Sequence, residues 1–228
     1  MNLAVVPARG GSKRIPRKNI RDFFGKPMIL WTLHALKESG CFDTIVVSTD
    51  DEEIAEVARD WGALVPFLRP ADLSGDFVGI TPVVAHAASW LKQSGREAEY
   101  ICCALATAPF LRAEDIVRGY EQLVASRANF SVSVTSYPYP IQRALMKDVH
   151  GIVSMFQPEH VNTRSQDLAP AFHDAAQFYW GRCRAWMSEA SPLDGALGIQ
   201  VPRDRVIDID TPEDWDFAER LFRAIDHK

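Results

Sequence analysis

The chain has no apolar run long enough to serve as a membrane span, and its opening Met1-Asn2-Leu3-Ala4-Val5-Val6-Pro7 carries neither a basic leader nor the length of a signal core. A membrane partner and export are not expected, and the cytoplasm is the expected compartment. Cysteine is scarce. Of four, Cys102 and Cys103 are adjacent in an apolar run while Cys41 and Cys183 stand alone, so no CxxC pair or Cys/His zinc spacing exists and reduced, structural thiols are expected. Walker A, GxGxxG and HExxH patterns are all missing, which leaves no indication of a P-loop ATPase, a dinucleotide enzyme or a zincin. There is no internal repeat and no low-complexity tract.

What remains is ordinary globular composition, 47% hydrophobic and 24% charged over 228 residues. That length suits one domain, residues 1–228, with residues 136–180 as an excursion where prolines break the rhythm. The net charge of −5 is unevenly spread. Between Arg9 and Lys26 lie seven cations against Asp22 alone, a net of +6, which leaves −11 for the rest. A short, dense cationic loop on an acidic chain suits a compact polyanion; a nucleic-acid groove would spread its charge over a face.

Apolar periodicity alternates between strand and helix, which predicts an α/β fold with a mostly parallel sheet covered on both faces. Strands are expected at Leu3–Val6, Thr44–Ser48, Leu64–Leu68, Tyr100–Ala104, Phe130–Thr135 and Val206–Ile209. Helices are expected at Pro27–Ser39, Asp51–Trp61, from Thr81 as N-cap to Ser94, at Ala113–Ala125 and from Pro212 onward. Thr211 and Asp214 are spaced for a capping box. Within the excursion, Ala144–Asp148 and Ile152–Phe156 flank His150-Gly151 as a hairpin would.

Two constellations carry chemistry. The first strand runs into Pro7-Ala8-Arg9-Gly10-Gly11-Ser12-Lys13-Arg14-Ile15-Pro16-Arg17-Lys18-Asn19. At the carboxyl end of a parallel strand, Gly10 and Gly11 let backbone N–H groups approach phosphate oxygens, and Arg9, Lys13 and Lys18 can neutralise charge as a phosphoanhydride breaks. The second is Val206-Ile207-Asp208-Ile209-Asp210-Thr211. Strand alternation would put Asp208 and Asp210 on one face with Cα atoms about 6–7 Å apart, a pair able to share one Mg²⁺. Each pattern alone has a plainer reading, a solvated basic turn and an acidic strand end beside a helix cap; occurring together they favour metal-assisted chemistry on a nucleoside triphosphate.

The loop, with Ser48-Thr49-Asp50, Leu68-Arg69-Pro70-Ala71-Asp72-Leu73, Thr107-Ala108-Pro109-Phe110-Leu111-Arg112 and Ile207-Asp208-Ile209-Asp210-Thr211, resembles the CMP-sugar synthetase (acylneuraminate cytidylyltransferase) family over nearly the whole chain. The resemblance implies a Rossmann-like sheet of the nucleotide-diphospho-sugar transferase type. It also implies that Arg9, Ser12, Lys13, Lys18 and Asn19 contact CTP, that Arg69 helps select cytosine, and that Asp208 and Asp210 bind Mg²⁺. The excursion would be a dimerisation arm that completes a homodimer partner's sugar site.

Within that family the strings Arg164-Ser165-Gln166-Asp167-Leu168 and His173-Asp174-Ala175-Ala176-Gln177-Phe178-Tyr179-Trp180 look like those of members that use pseudaminic acid rather than sialic acid. Two residues depart from the family pattern: Ala106 stands where a glutamine is frequent, and Ala176 where a glycine is expected. The second substrate would be a nine-carbon acidic sugar, with Arg164 as a bidentate partner for its carboxylate. His173 and Asp174 would orient sugar groups or brace the arm; Gln177, Tyr179 and Trp180 would line the pocket or pack a dimer interface. Sialic, legionaminic and Kdo substrates stay open, as does a nucleotide-binding regulator without turnover.

Overall fold

The computed structural model describes residues 1–188 and 190–226, with the Asp226 side chain outside that description. The apolar opening forms strand β1 (Asn2–Pro7), flanked by parallel β2 (Thr44–Ser48) and parallel β3 (Tyr100–Ala104). Period-two alternation sends Ala4 and Val6 to one face and Leu3 and Val5 to the other, and both sets are buried. Helices therefore cover both faces. On one side Leu33 and Leu36 of α1 (Met28–Glu38), Ile54 and Ala58 of α2 (Glu52–Trp61), and Ile116 and Leu123 of α4 (Ala113–Val124) pack against Ala4 and Val6. On the other, Val84, Ala87 and Leu91 of α3 (Ile80–Gln93) and Trp186 of α5 (Cys183–Met187) pack against Leu3 and Val5.

The sheet is completed by β4 (Phe130–Ser136), β5 (Phe172–Arg182) and β6 (Leu197–Gln200), in the order β6-β4-β5-β3-β1-β2. Only β5 runs antiparallel to its neighbours. Helix α2 begins as its sequence requires: Asp51 accepts the Ile54 N–H at 3.0 Å, and Gly62 stops the helix with φ 99°. The capping box of α6 (Pro212–Asp226) also forms, with Asp214 accepting from the Thr211 N–H at 2.7 Å and Thr211 Oγ1 accepting from the Asp214 N–H at 3.3 Å.

Four expectations need correction. Helix α3 starts two residues earlier than expected, with Gly79 rather than Thr81 at its N-cap position, so Thr81 lies inside the first turn, where a proline at 82 removes no intrahelical bond. Among the described residues Leu64–Leu68 makes only two isolated bridges, Val46 to Leu64 and Thr49 to Leu68. Val206–Ile209 joins no ladder among the described residues, and the sixth strand is Leu197–Gln200 instead, parallel to β4. Finally, the excursion ends before residue 180, because Phe172–Trp180 belongs to β5 in mid-sheet.

The residual excursion leaves β4 at Tyr137 and returns at Ala171, whose carbonyl accepts from the Tyr137 N–H at 3.1 Å. It carries the expected hairpin, Leu145–Lys147 against Val153–Met155, turning at Gly151 with φ 86°. Its apolar side chains Leu145, Ile152, Val153 and Phe156 are exposed. A third apolar cluster joins Ile15 and Phe23 of the cationic loop region to Phe110, Ile209, Trp215 and Ala218. That packing carries the 206–210 segment onto the loop.

Candidate functional site

β1 lies between β2, reached first by the chain, and β3, reached later, so the connections leave in opposite directions at this point. Open α/β sheets bind ligands at such a switch point, outside the carboxyl ends of the strands. The cleft there, about 180 Å³, is lined by Arg9, Ser12, Lys13, Arg14, Lys18 and Asn19 from the loop after β1, by Ala106 and Thr107 after β3, and by Asp210.

The loop is shaped by its own bonds. The Gly10 N–H donates to Asp50 Oδ1 at 2.9 Å, and a Cβ on Gly10 would fall 2.5 Å from Asp51 Oδ2, so glycine is needed for close approach. This N–H is taken by a carboxylate, whereas Gly11 has open space around it. Asn19 is buried and donates to the Arg9 carbonyl at 2.9 Å, which fixes the loop's width. Arg17, at φ 56°, clamps the loop to α2 by donating to both Asp51 oxygens, at 2.5 and 3.0 Å. That pairing holds the Asp51 carboxyl below its ordinary pKa.

The two constellations meet across 192 positions. Lys18 Nζ donates to the Ile209 carbonyl at 2.6 Å and to Asp210 Oδ1 at 3.2 Å, and Arg14 pairs with Asp210 Oδ2 at 2.8 Å. Asp208 differs from Asp210. Among the described residues its carboxylate has no ion-pair or hydrogen-bond partner, and desolvation, then the Asp210 charge, push its pKa up, with Asp214 and Asp174 adding to this and Lys18 opposing it.

Two acidic residues were given no role by the sequence: Asp76, which it did not single out, and Asp50, which it named only within a motif. Asp76 takes Arg9 at 2.6 Å and Lys13 at 2.5 Å, and so occupies the cations meant for a polyanion. Asp50 joins the Gly10 N–H to Arg69, whose guanidinium lies 3.9 Å away. Their signal was the density of cations in one loop, which calls for counter-charge from elsewhere. Arg69 is 7% exposed, and its Nε has no hydrogen-bond partner; burial lowers its pKa. It is a buried fork of donors in want of acceptors.

The residues expected around the sugar are less united. Arg164 is exposed on the excursion and pairs with its neighbour Asp167 at 2.7 Å. His173 lines an open recess of about 450 Å³ beside Thr135 and Arg203, with its Nδ1 2.8 Å from the Asp174 carbonyl. Asp174 accepts from the Tyr179 hydroxyl at 2.5 Å and from the Ala176 N–H at 2.8 Å. Tyr179, Gln177 and Trp180 are buried, and Trp180 stacks on Phe42 with its Nε1 donating to the Ile116 carbonyl at 3.0 Å. β5 is a central strand covered on both faces, so Trp180 is core rather than pocket or dimer surface. No helix is long and apolar enough to cross a membrane among the described residues, and all four cysteines are free.

A doubly wound sheet with a cationic cleft at its switch point defines a nucleotide-binding protein of the α/β class. The cytidylyltransferase family pattern matches residues 3–223, and the chain belongs to that family. It is 43% identical over 224 residues to the pseudaminic acid cytidylyltransferase of Campylobacter jejuni, covering 98% of this chain and 97% of that one. It is 32% identical over 230 residues to the CMP-N,N'-diacetyllegionaminic acid synthase of Legionella pneumophila, covering 96% and 95%. Its fold is shared with a CMP:2-keto-3-deoxy-manno-octonic acid synthetase solved with CTP, at a TM-score of 0.70, 16% identity and 98% coverage of each chain.

Proposed function

We propose that this chain joins CTP to pseudaminic acid, giving CMP-pseudaminic acid and pyrophosphate in the cytoplasm. The observation that carries the reading is the cleft itself, in which Arg9, Ser12, Lys13, Lys18 and Asn19 converge at the end of β1 beside Asp210, in a chain 43% identical to the Campylobacter enzyme over nearly its full length. The anomeric oxygen of the sugar attacks the α-phosphorus, the bond from that phosphorus to the bridging oxygen breaks, and pyrophosphate leaves. Arg9 and Lys13 hold the departing phosphates, displacing Asp76 as their counter-charge. Arg69 offers its unpartnered donors to the acceptor edge of cytosine.

The residues fit Mg²⁺. Asp208 and Asp210 are hard oxygen donors, and the uncompensated charge at Asp208 is what a bound cation would relieve. Those two carboxylates would hold the ion, which supplies neutralisation of phosphate charge when bound. The exposed apolar side chains of the excursion support a homodimer in which Arg164 reaches the partner's sugar carboxylate, with His173 and Asp174 orienting the sugar.

The test is pyrophosphate release from CTP and Mg²⁺ with a panel of nonulosonic acids. Pseudaminic acid is the expected substrate. Release with sialic or legionaminic acid and none with pseudaminic acid would overturn the assignment.

A further inference from the structure

The segment bearing Asp208 and Asp210 has no sheet to hold it. Among the described residues, no backbone N–H or C=O from Ile207 to Asp210 bonds to another backbone group. Side chains hold the span instead. Downstream, the Asp210 N–H donates to Asp214 Oδ2 at 3.1 Å, and in the middle Lys18 takes the Ile209 carbonyl while the Ile209 side chain is buried.

The upstream end is gripped from two directions at one residue, Arg205. Its Nη1 donates to Asp115 Oδ2 on α4 at 2.6 Å, and its carbonyl accepts from Gln177 Nε2 on β5 at 2.5 Å. The Asp115 side chain is 1% exposed and that of Arg205 10%. The other Asp115 oxygen accepts from Arg118, whose Nη2 also donates to the Gln200 carbonyl, so the carboxylate is engaged on both sides. A buried ion pair is a poor source of stability, because desolvation offsets its attraction, but it admits one geometry where apolar packing admits several.

We infer that Asp115 and Gln177 are positioning residues for the metal-binding span. By fixing Arg205, three residues before Asp208, they set the direction in which an otherwise unladdered backbone presents its two carboxylates. The inference rests on the reading of Asp208 and Asp210 as metal ligands.

The experiment measures Mn²⁺ binding by electron paramagnetic resonance in the presence of CTP, with circular dichroism and thermal unfolding run on the same samples. Asp115→Asn and Gln177→Leu are each expected to weaken Mn²⁺ about ten- to hundredfold, the range for partners that orient metal ligands. CTP binding in EDTA is expected to stay as in the parent. Arg118→Ala touches the same carboxylate without touching the span; it is expected to lower the melting temperature and leave Mn²⁺ affinity unchanged. Adding Asp115→Asn to Asp208→Asn is expected to bring no further loss. Gln177→Leu keeps the test decisive if Asp115→Asn does not fold. Parental Mn²⁺ affinity in a folded Gln177→Leu or Asp115→Asn would overturn the inference, as would an equal loss in Arg118→Ala. Parental Mn²⁺ affinity in Asp208→Asn would overturn the metal reading itself, a separate result.

Discussion

Replacing Ala176 by glycine should stabilise the protein. Five steps along β5 from Asp174 to Tyr179 match two steps along β4 from Val134 to Val132, a bulge centred on Ala176, which sits at φ 51°. Left-handed backbone disfavours alanine by about 1–2 kcal/mol. Glycine removes that strain but has a freer unfolded chain, an offset of about 0.5–1 kcal/mol, and loses a half-buried methyl worth about 0.4 kcal/mol. Taken at their midpoints these leave a balance of about 0.3 kcal/mol in favour of glycine, or a rise of roughly 1 °C for a chain of this size. The bulge's other bonds do not involve the Ala176 side chain: Ser133 Oγ accepts from the Gln177 and Phe178 N–H groups at 3.3 and 3.1 Å. Thermal unfolding and urea denaturation measure the change, with Gly181→Ala as the opposite case on the same strand. There a Cβ would lie 2.5 Å from both Phe130 Cε1 and Trp186 Nε1, two buried rings, so overpacking of about 1–3 kcal/mol should destabilise. If Ala176→Gly lowers stability, the strain argument is refuted.

Asp51→Asn keeps an N-cap for α2 but loses the charged pair with Arg17, and should be less stable by about 0.5–1 kcal/mol at neutral pH, given the pair's partial exposure. Because the folded pKa of Asp51 is depressed, that difference is full above the ordinary carboxylate value and shrinks as pH falls through the folded one; urea midpoints against pH would show a constant gap if the reasoning is wrong. Asp76→Asn should lower the KM for CTP roughly two- to fivefold by freeing Arg9 and Lys13, an effect that fades with added salt, and an unchanged KM at low salt would count against it. Asp208→Asn should abolish turnover yet raise the melting temperature in EDTA at neutral pH. The folded pKa of Asp208 is raised, so the parent loses stability as pH climbs from the ordinary carboxylate value through the folded one, and the gap should close in acid; a lower melting temperature at neutral pH would refute this.

Much of the site was legible because it is local. The loop from Pro7 to Asn19 is one continuous stretch, so its glycines, cations and position after a buried strand are visible in order, and its counterpart Asp210 was recognisable from the alternation of Ile207 and Ile209 with the aspartates. The strand assigned to that alternation was wrong because alternating side-chain burial needs no ladder: Ile209 is buried in a cluster with Phe110 and Trp215. Tyr179 and Trp180 looked like pocket or interface aromatics because the sequence placed them in the excursion, and nothing in it marks Phe172–Arg182 as a strand that returns to mid-sheet.

The sequence by itself determined the mostly parallel sheet, the helix starts at Asp51 and Thr211 and the cationic loop, all of which follow from residues within a turn or a strand of one another. Only tertiary structure decided that Asp76 neutralises Arg9 and Lys13, that Arg205 is gripped by Asp115 and Gln177, and that Phe172–Arg182 enters the sheet. Each of those depends on contacts between residues 28 to 90 positions apart or on which strand edge lies open, and side-chain periodicity carries no record of either.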